Sequence, residues 1–574
     1  MALQGIMDQV LFADLSSGTL DYQKLEQQIH EGYIGGYGIG AYVLYTRQRG
    51  GVDPLGPENT LGFVTGPLTG TDAITGNRYV VVGKSPKTGT WGDANSGGFF
   101  GPALKASGFD AAFFTGISPE PIYLLLEDGK ASLKSAEHLW GLDSHETEDK
   151  LRAELGDDIL IACIGPVGER KSLLACVMND KGRAAGRSGL GAVMGSKNLK
   201  AVVVDDTGAN SLEVRDKTKL REASTALTKG ILAHPVVEGF KTLGTAQLVM
   251  PINSFGCLPT KNYSIGQFAG AEKISGESLA EILKKRPNGQ SIHRCMDGCA
   301  ISCSNIYTDE RGEVIVSGLE YETLGMVGSN CMINDLDAIA RINRACNDLG
   351  VDTMDIGGAV AVCMEAGLLP WGDGKAALEL VKEIGKGAPR GAMLGNGCRV
   401  TGEELKIRRI PHVKGQCLAA YDPRGLKGTG VTYATATMGA DHTCGNAIPN
   451  PAQPDYNPSA PTGQGMLSKF LQLHFAAIDT LGLCLFASLP LLDIPELQKH
   501  LISCVSAVLG DSLEENYLTK LGESVLKTEK KFNDAVGFTK KDDRLPRFFL
   551  EEKLPPNGNV FDVPEEEIDR VYEF

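Results

Sequence analysis

The chain has 574 residues, 42% of them hydrophobic and 22% charged. That is the composition of a globular protein too long for a single core. A formal net charge of −15 argues against nucleic acid as a partner. Fourteen cysteines spread over the whole length are not the dense framework of a small secreted domain.

In chain order, the first eight residues lack a basic region followed by an apolar run, so no secretory signal is expected. Residues 1–210 are rich in glycine and short β-type runs. Tyr79–Val82, Ala112–Thr115, Ile122–Leu126 and Ala201–Val204 are bounded by Gly, Pro, Asp or Lys, as strands are. A polar stretch begins at Ser211, and helices follow. Leu279–Lys285, Asp335–Leu349, Ala376–Gly385 and Glu496–Leu509 space their apolar residues at the helical period. The basic segment Lys406–Pro411 precedes a loop-rich region. In it, Asn446–Gly465 carries five prolines and reads as a long functional loop. The longest apolar stretch, Leu473–Ile494, contains His474, Asp479, Pro490 and Asp493, so it reads as buried core and not as a membrane span. The expected class is α+β: a β-rich N-terminal cofactor-binding domain (1–210) followed by two mainly α-helical domains (211–412 and 413–574). The expected location is a reducing cytoplasm.

The chemistry starts with four cysteines. Cys295, Cys299 and Cys303 are closely spaced, and Cys484 is distant and closes Asp479-Thr-Leu-Gly-Leu-Cys484. Three near thiols plus one far thiol is a common way to hold a [4Fe–4S] cluster, because four thiolates must converge on a cube. A structural zinc site is the second reading, although its ligands usually come in close pairs on both sides. Four ordinary buried cysteines are the third. On a helix, the i, i+4, i+8 spacing of the triplet would keep the thiols near one face.

Glycine recurs beside polar residues in Gly35–Gly40, Ser85–Gly89, Gly92–Gly98 and Arg183–Lys197. Glycine lets backbone N–H groups approach an anion, and Arg183, Arg187 and Lys197 could add charge. Any one cluster reads as a β-domain turn. Four in one domain favour a large phosphorylated cofactor. No Walker A sequence is present.

Gly92–Gly101 (Gly-Asp-Ala-Asn-Ser-Gly-Gly-Phe-Phe-Gly), Arg183–Lys200, Asp479–Cys484 and the cysteine triplet resemble the tungsten-containing aldehyde ferredoxin oxidoreductases. The resemblance spans nearly the whole chain. It implies one tungsten (or molybdenum) held by the dithiolenes of two pterins, with a [4Fe–4S] cluster beside one of them. It further implies Cys295, Cys299, Cys303 and Cys484 as cluster ligands. Asn95 and the Ala184 carbonyl would complete a Mg²⁺ bridge between pterin phosphates, which suits a hard cation. Arg78, Ser96, Gly97, Arg183 and Gly186 would line the pterins. Asp479 and Leu483 would bind one pterin, and the similar block Asn347–Asp352 the other. Tyr321-Glu322 and Asp441-His442 resemble the segments that bring a Glu and a His near the metal, with Glu320 competing for the role of Glu322. The chain departs from the family in several places. Its triplet has three and three intervening residues where two and three are usual. Tyr37 and Met438 stand where Arg is common, and Asn347 where Asp is usual. No histidine lies between His293 and His412, which argues against the inter-subunit iron site of some relatives. Cys331, in Gly328-Ser-Asn-Cys331, reads as a buried thiol or, as the resemblance also allows, as one that reaches the metal in some family members.

The resemblance implies an enzyme that oxidises aldehydes to carboxylic acids, with His442 or Glu322 handling protons. Electrons would leave through the cluster to ferredoxin or a partner iron–sulfur subunit, in a homo- or hetero-oligomer. The catalytic subunit of a tungsten-dependent aromatic acyl-CoA (benzoyl-CoA type) reductase is the alternative within the family. A non-catalytic cofactor-binding or assembly subunit is the alternative of another class, and a structural zinc protein remains.

Overall fold

The computed structural model describes residues 6–25, 29, 32–206, 212–449 and 455–574. Ser211, the first five residues and part of the proline-rich loop lie outside the described residues. The chain forms two compact units. One comprises Met1–Glu238, Arg294–Ile301 and Leu473–Gly537; the other comprises Gly239–His293, Ser302–Gln472 and Phe538–Phe574.

Two six-stranded sheets organise the first unit. The first contains β1 (Val10–Asp14), β2 (Thr19–Gln23), β3 (Leu61–Thr65), β4 (Tyr79–Lys84), β5 (Trp91–Ser96) and β6 (Ala111–Thr115), in the order β2-β1-β6-β3-β4-β5. Only β1 and β6 run parallel within it. The second contains β7 (Ile122–Glu127), β8 (Lys130–Ser135), β9 (Leu160–Cys163), β10 (Val177–Asn179), β11 (Arg183–Ala185) and β12 (Leu199–Asp205), in the order β11-β10-β9-β12-β7-β8. Successive side chains of a strand point to opposite faces, and inner strands such as β3, β4 and β12 are near-continuous apolar runs because both of their faces are buried, while β2 and β8 at the sheet edges are largely exposed. In β12, Val202 and Val204 enter a core shared with Phe63, Tyr79 and Phe114 of the first sheet. Ala201 and Val203 point to the opposite face and pack with Leu139, Leu151 and Ile161. Each such valine contributes roughly 1.5–3 kcal/mol of burial. The expected strands fall within β4, β6, β7 and β12.

The second unit is largely helical. Its small sheet joins β13 (Gln290–His293), β14 (Ser304–Thr308) and β15 (Val314–Ser317) in that order. β16 (His412–Val413) and β17 (Gln416–Cys417) form a separate hairpin. The expected helices appear as Gly276–Lys285, Leu336–Leu349 and Gly374–Lys386, and, in the first unit, Pro495–Leu509. Asp335 is not the first helical residue but the cap, its carboxylate accepting from the Asp337 and Ala338 N–H groups.

Leu473–Ile494 is interior, as its composition suggests: Ile478 and Leu481 are fully buried, and no described helix is long and apolar enough to cross a membrane. His474 is buried within it, and burial pushes its pKa down to about 4, offset in part by the Ser488 backbone. The unfolded chain takes up this proton near pH 6.5 and the folded chain only near 4. Stability is therefore expected to fall by about 3 kcal/mol as pH drops through that window. Urea midpoints measured from pH 7 to pH 4 should show this slope, and His474→Phe should flatten it.

Candidate active site

Two constellations stand out, one in each unit. In the first unit, Asn77 and Arg78, at the entry to β4, reach toward two of the four sulfurs. Asn77 Nδ2 lies 3.8 Å from Cys295 Sγ, and Arg78 Nη2 donates to Cys484 Sγ at 3.2 Å. Cys299 also faces Cys295. The Cys299 hydrogen bond, followed by the positive charges of Arg78 and Arg183 and the Asn77 amide, pulls the Cys295 thiol down to about 5 against the cost of burial. These are the surroundings that favour thiolate, the ligand form of cysteine.

The triplet is not helical. Residues 294–301 form an irregular loop with left-handed backbone at Gly298 (φ 75°) and a turn in which the Cys299 N–H meets the Met296 carbonyl. Left-handed backbone in mid-segment ends any helix there. Cys303 falls in the second unit and is bridged to His293.

The glycine-rich strand ends surround Arg78. Its Nη1 lies 3.3 Å from Asn95 Oδ1, and Asn95 Nδ2 donates to Asp479 Oδ1 at 2.9 Å. Ser96 Oγ donates to Asn179 Oδ1, and a Cβ on Gly97 would crowd the Arg78 guanidinium at 3.2 Å. Arg183 and Ala184 lie on β11, paired with β10, and Cys176 Sγ donates to the Gly186 carbonyl. Lys197 does not join this group. It is fully buried, donates to the Gly116 carbonyl, and is pushed down to about 8 by burial.

The two similar blocks share one backbone device. Gly482 N–H bonds Asp479 O and Leu483 N–H bonds Ile478 O; Gly350 N–H bonds Asn347 O and Val351 N–H bonds Cys346 O. Both glycines are left-handed, giving two Schellman-type helix ends. Asn347 Oδ1 accepts from Asn343, and Asp352 caps the helix Thr353–Glu365 through the Met354 N–H.

In the second unit, Glu322 and His442 meet. His442 Nε2 lies 3.0 Å from Glu322 Oε1, while Glu322 Oε2 accepts from the Ala420 N–H at 3.0 Å. The Tyr421 ring lies over the imidazole at 5.5 Å. Burial, then the Glu322 charge, push the Tyr421 hydroxyl well above the usual phenol range, so it stays protonated. Glu322 Oε1 and His442 Nδ1 are both shut off from solvent, yet neither makes an aligned hydrogen bond. The Oε1–Nε2 contact is thus close but misdirected. Leaving such atoms unmet costs about 1–3 kcal/mol each, which marks a place arranged for something other than stability.

Glu320 is elsewhere. Its carboxylate accepts from Thr245 Oγ1 and Ser304 Oγ, and the same threonine oxygen accepts from the Tyr321 N–H. It is a satisfied structural acid. Cys331 is fully buried and donates to the Met326 and Gly357 carbonyls. Asn77, Ala420 and Tyr421 escaped the reading of the sequence: the first and last lie in no motif, and Ala420 contributes only its backbone.

The two-sheet unit gathers Cys295, Cys299 and Cys484 beside Asn77 and Arg78, and the helical unit sets Glu322 against His442. Comparison with known proteins gives the family and the class. Residues 10–206 match the family model described as aldehyde ferredoxin oxidoreductase, N-terminal domain, and residues 222–574 the model for its domains 2 and 3. The chain belongs to the aldehyde ferredoxin oxidoreductase family and is an oxidoreductase. It is 36% identical to the tungsten-containing aldehyde ferredoxin oxidoreductase of Pyrococcus horikoshii, over 97% of this chain and 93% of that one. With the enzyme of the same name from Thermococcus kodakarensis it shares 36% identity over 97% and 93%. In fold it is similar to the active site complex BamBC of benzoyl coenzyme A reductase, with a TM-score of 0.82, 21% identity, and coverage of 99% of this chain and 94% of that one.

Proposed function

We propose that the chain oxidises an aldehyde to a carboxylic acid, RCHO + H₂O → RCOOH + 2H⁺ + 2e⁻, and delivers the electrons singly to ferredoxin or an iron–sulfur partner subunit in the cytoplasm. The observation that carries the reading is the pair of unmet atoms, Glu322 Oε1 and His442 Nδ1, beside a 3.0 Å carboxylate–imidazole contact. Such a pair is suited to taking protons from a substrate that completes its hydrogen bonds.

In this reading residues 1–210 carry a bis-pterin tungsten (or molybdenum) cofactor, with one pterin block in each of the segments 211–412 and 413–574. Arg78, Ser96, Gly97, Arg183 and Gly186 line it, Asp479 and Leu483 bind one pterin, and Asn347 and Asp352 bind the other. Asn95 and the Ala184 carbonyl take Mg²⁺, as oxygen donors do. Cys295, Cys299, Cys303 and Cys484 hold a [4Fe–4S] cluster. The depressed Cys295 pKa and the Arg78 bond to Cys484 support the fit of that donor set. When bound, the metal and cluster supply the two-electron oxidation and its one-electron discharge. The protein's share is protonic. Glu322, held by the Ala420 N–H through Oε2, accepts a proton at Oε1. His442 Nε2, within hydrogen-bond distance, shares it and carries it away from the reacting carbon.

Protein produced anaerobically with tungstate and molybdate should contain iron and one heavy metal. It should reduce a viologen dye with a panel of aldehydes. Fully loaded protein that ignores aldehydes but reduces benzoyl-CoA would move the assignment to an aromatic acyl-CoA reductase. Loaded protein with neither activity would leave a cofactor-binding subunit, and zinc without iron would overturn the cluster.

A further inference from the structure

Among the described residues one backbone N–H, that of Ala420, donates to the Glu322 carboxylate. The strap Cys417–Asp422 that carries Ala420 is pinned residue by residue from the interior of the second unit. Asp355, fully buried, accepts from the Cys417 N–H at 3.0 Å and from the Cys398 N–H at 2.7 Å. Tyr263 donates its hydroxyl to the Ala419 carbonyl at 2.6 Å, and Tyr321 donates to the Ala420 carbonyl at 2.7 Å. The Asp422 N–H bonds the Cys257 carbonyl. The strap ends by laying the Tyr421 ring over His442. It therefore meets both members of the pair, one through an N–H and the other through a tilted ring 5.5 Å away.

One further contact decides how closely the strap can approach. Two residues after Glu322 the chain enters a π-helical turn, Leu324–Gly328, a form that recurs at functional sites. Its second residue, Gly325, faces the strap. A Cβ built on Gly325 would lie 2.4 Å from the Ala420 Cβ, and the next nearest atoms, Ala420 Cα and a Leu258 methyl, lie at 3.7 and 3.9 Å. The space that a side chain would need is thus taken by one methyl group and nothing else. Ordinary carbon–carbon contact would require the strap to retreat by about 1 Å. The hydrogen bond from Ala420 to Glu322 sits on the retreating residue.

We propose that Gly325 is a positioning residue: its missing side chain lets the strap close on the π-helical turn, so that the Ala420 N–H holds Glu322 toward His442. This rests on the reading of Glu322 and His442 as the proton-transfer pair. Gly325 acts through Ala420, whose Cβ is the atom nearest the position its own Cβ would take.

The geometry gives a test by exchange. In metal-loaded protein, Gly325→Ala is expected to lower kcat by about 10²-fold, the usual penalty for a 1 Å misplacement of a catalytic group, with KM, iron and heavy metal unchanged. Adding Ala420→Gly moves the vacancy across the contact and should restore kcat to within about threefold of wild type, because the two substitutions share one clash. A general loss of packing elsewhere would not be rescued in this way. Gly325→Ala at the wild-type rate overturns the proposal, as does a loss that Ala420→Gly fails to recover. If Gly325→Ala does not fold, Tyr263→Phe takes its place. It removes one pin with no new atom, and should lower kcat about tenfold; an unchanged kcat overturns the proposal. Glu322→Gln at the wild-type rate, with Gly325→Ala impaired and rescued, overturns instead the reading of the pair on which the proposal stands.

Discussion

Cys484→Ser is expected to yield protein that folds but lacks cluster iron, and whose dye-linked aldehyde oxidation falls to background. Cys484 is 5% exposed, follows a Schellman-type helix end, and accepts a hydrogen bond from Arg78 at 3.2 Å. A serine hydroxyl keeps that bond and nearly the same volume. It does not ionise at neutral pH and is a poor soft ligand for iron. The substitution therefore removes coordination while sparing the packing. Cys504→Ser is the control. Cys504 is fully buried and burial pushes its thiol up to about 12, the signature of a cysteine that acts as a small hydrophobe. It should keep its iron. Iron and heavy-metal content per chain, measured together with dye reduction, decide the matter. Full iron in Cys484→Ser, or equal loss in both variants, would remove Cys484 from the cage.

The contrast between those two cysteines also shows what a sequence can and cannot carry. Strands such as Ala201–Val204 were legible because β-branched residues alternate between two faces, and both faces here are buried. Helices such as Leu336–Leu349 were legible because their apolar residues recur at the helical period, whereas the capping role of Asp335 emerged only in the structure. The cysteine loop was not. An i, i+4, i+8 spacing is compatible with a helix, yet the left-handed backbone at Gly298 forbids one, and thiols that must surround a guest do not need a common face. Lys197 belongs to a phosphate-like run in sequence but turns inward to the Gly116 carbonyl.

The choice between Glu320 and Glu322 is a tertiary matter. Two residues apart, they differ only in what the fold brings to them: Thr245 and Ser304 for Glu320, and Ala420 and His442 for Glu322. No local pattern encodes that. Ala420 and Gly325 were invisible for a simpler reason. One contributes a peptide N–H that any residue but proline possesses, and the other contributes the absence of a Cβ. Backbone chemistry leaves no motif.

Glu322→Gln is expected to lower kcat by about 10²–10⁴-fold, the range set by losing a positioned general base. Metal and iron content should stay at the wild-type level. Glutamine retains an acceptor for the Ala420 N–H and nearly the same shape, so the strap stays in place and the lost element is the basic oxygen at the 3.0 Å contact. His442→Gln should give a loss of similar size, since the imidazole is the only partner within reach of Glu322 Oε1 among the described ion pairs. The two effects should not add. Residues that pass one proton between them fail together, so the double variant should be no more than a fewfold slower than the worse single one. Losses that multiplied across the two sites would mean that each group acts alone, one as an acid–base and the other as a substrate contact. A wild-type rate in both would take the pair out of the chemistry, however close the two side chains lie.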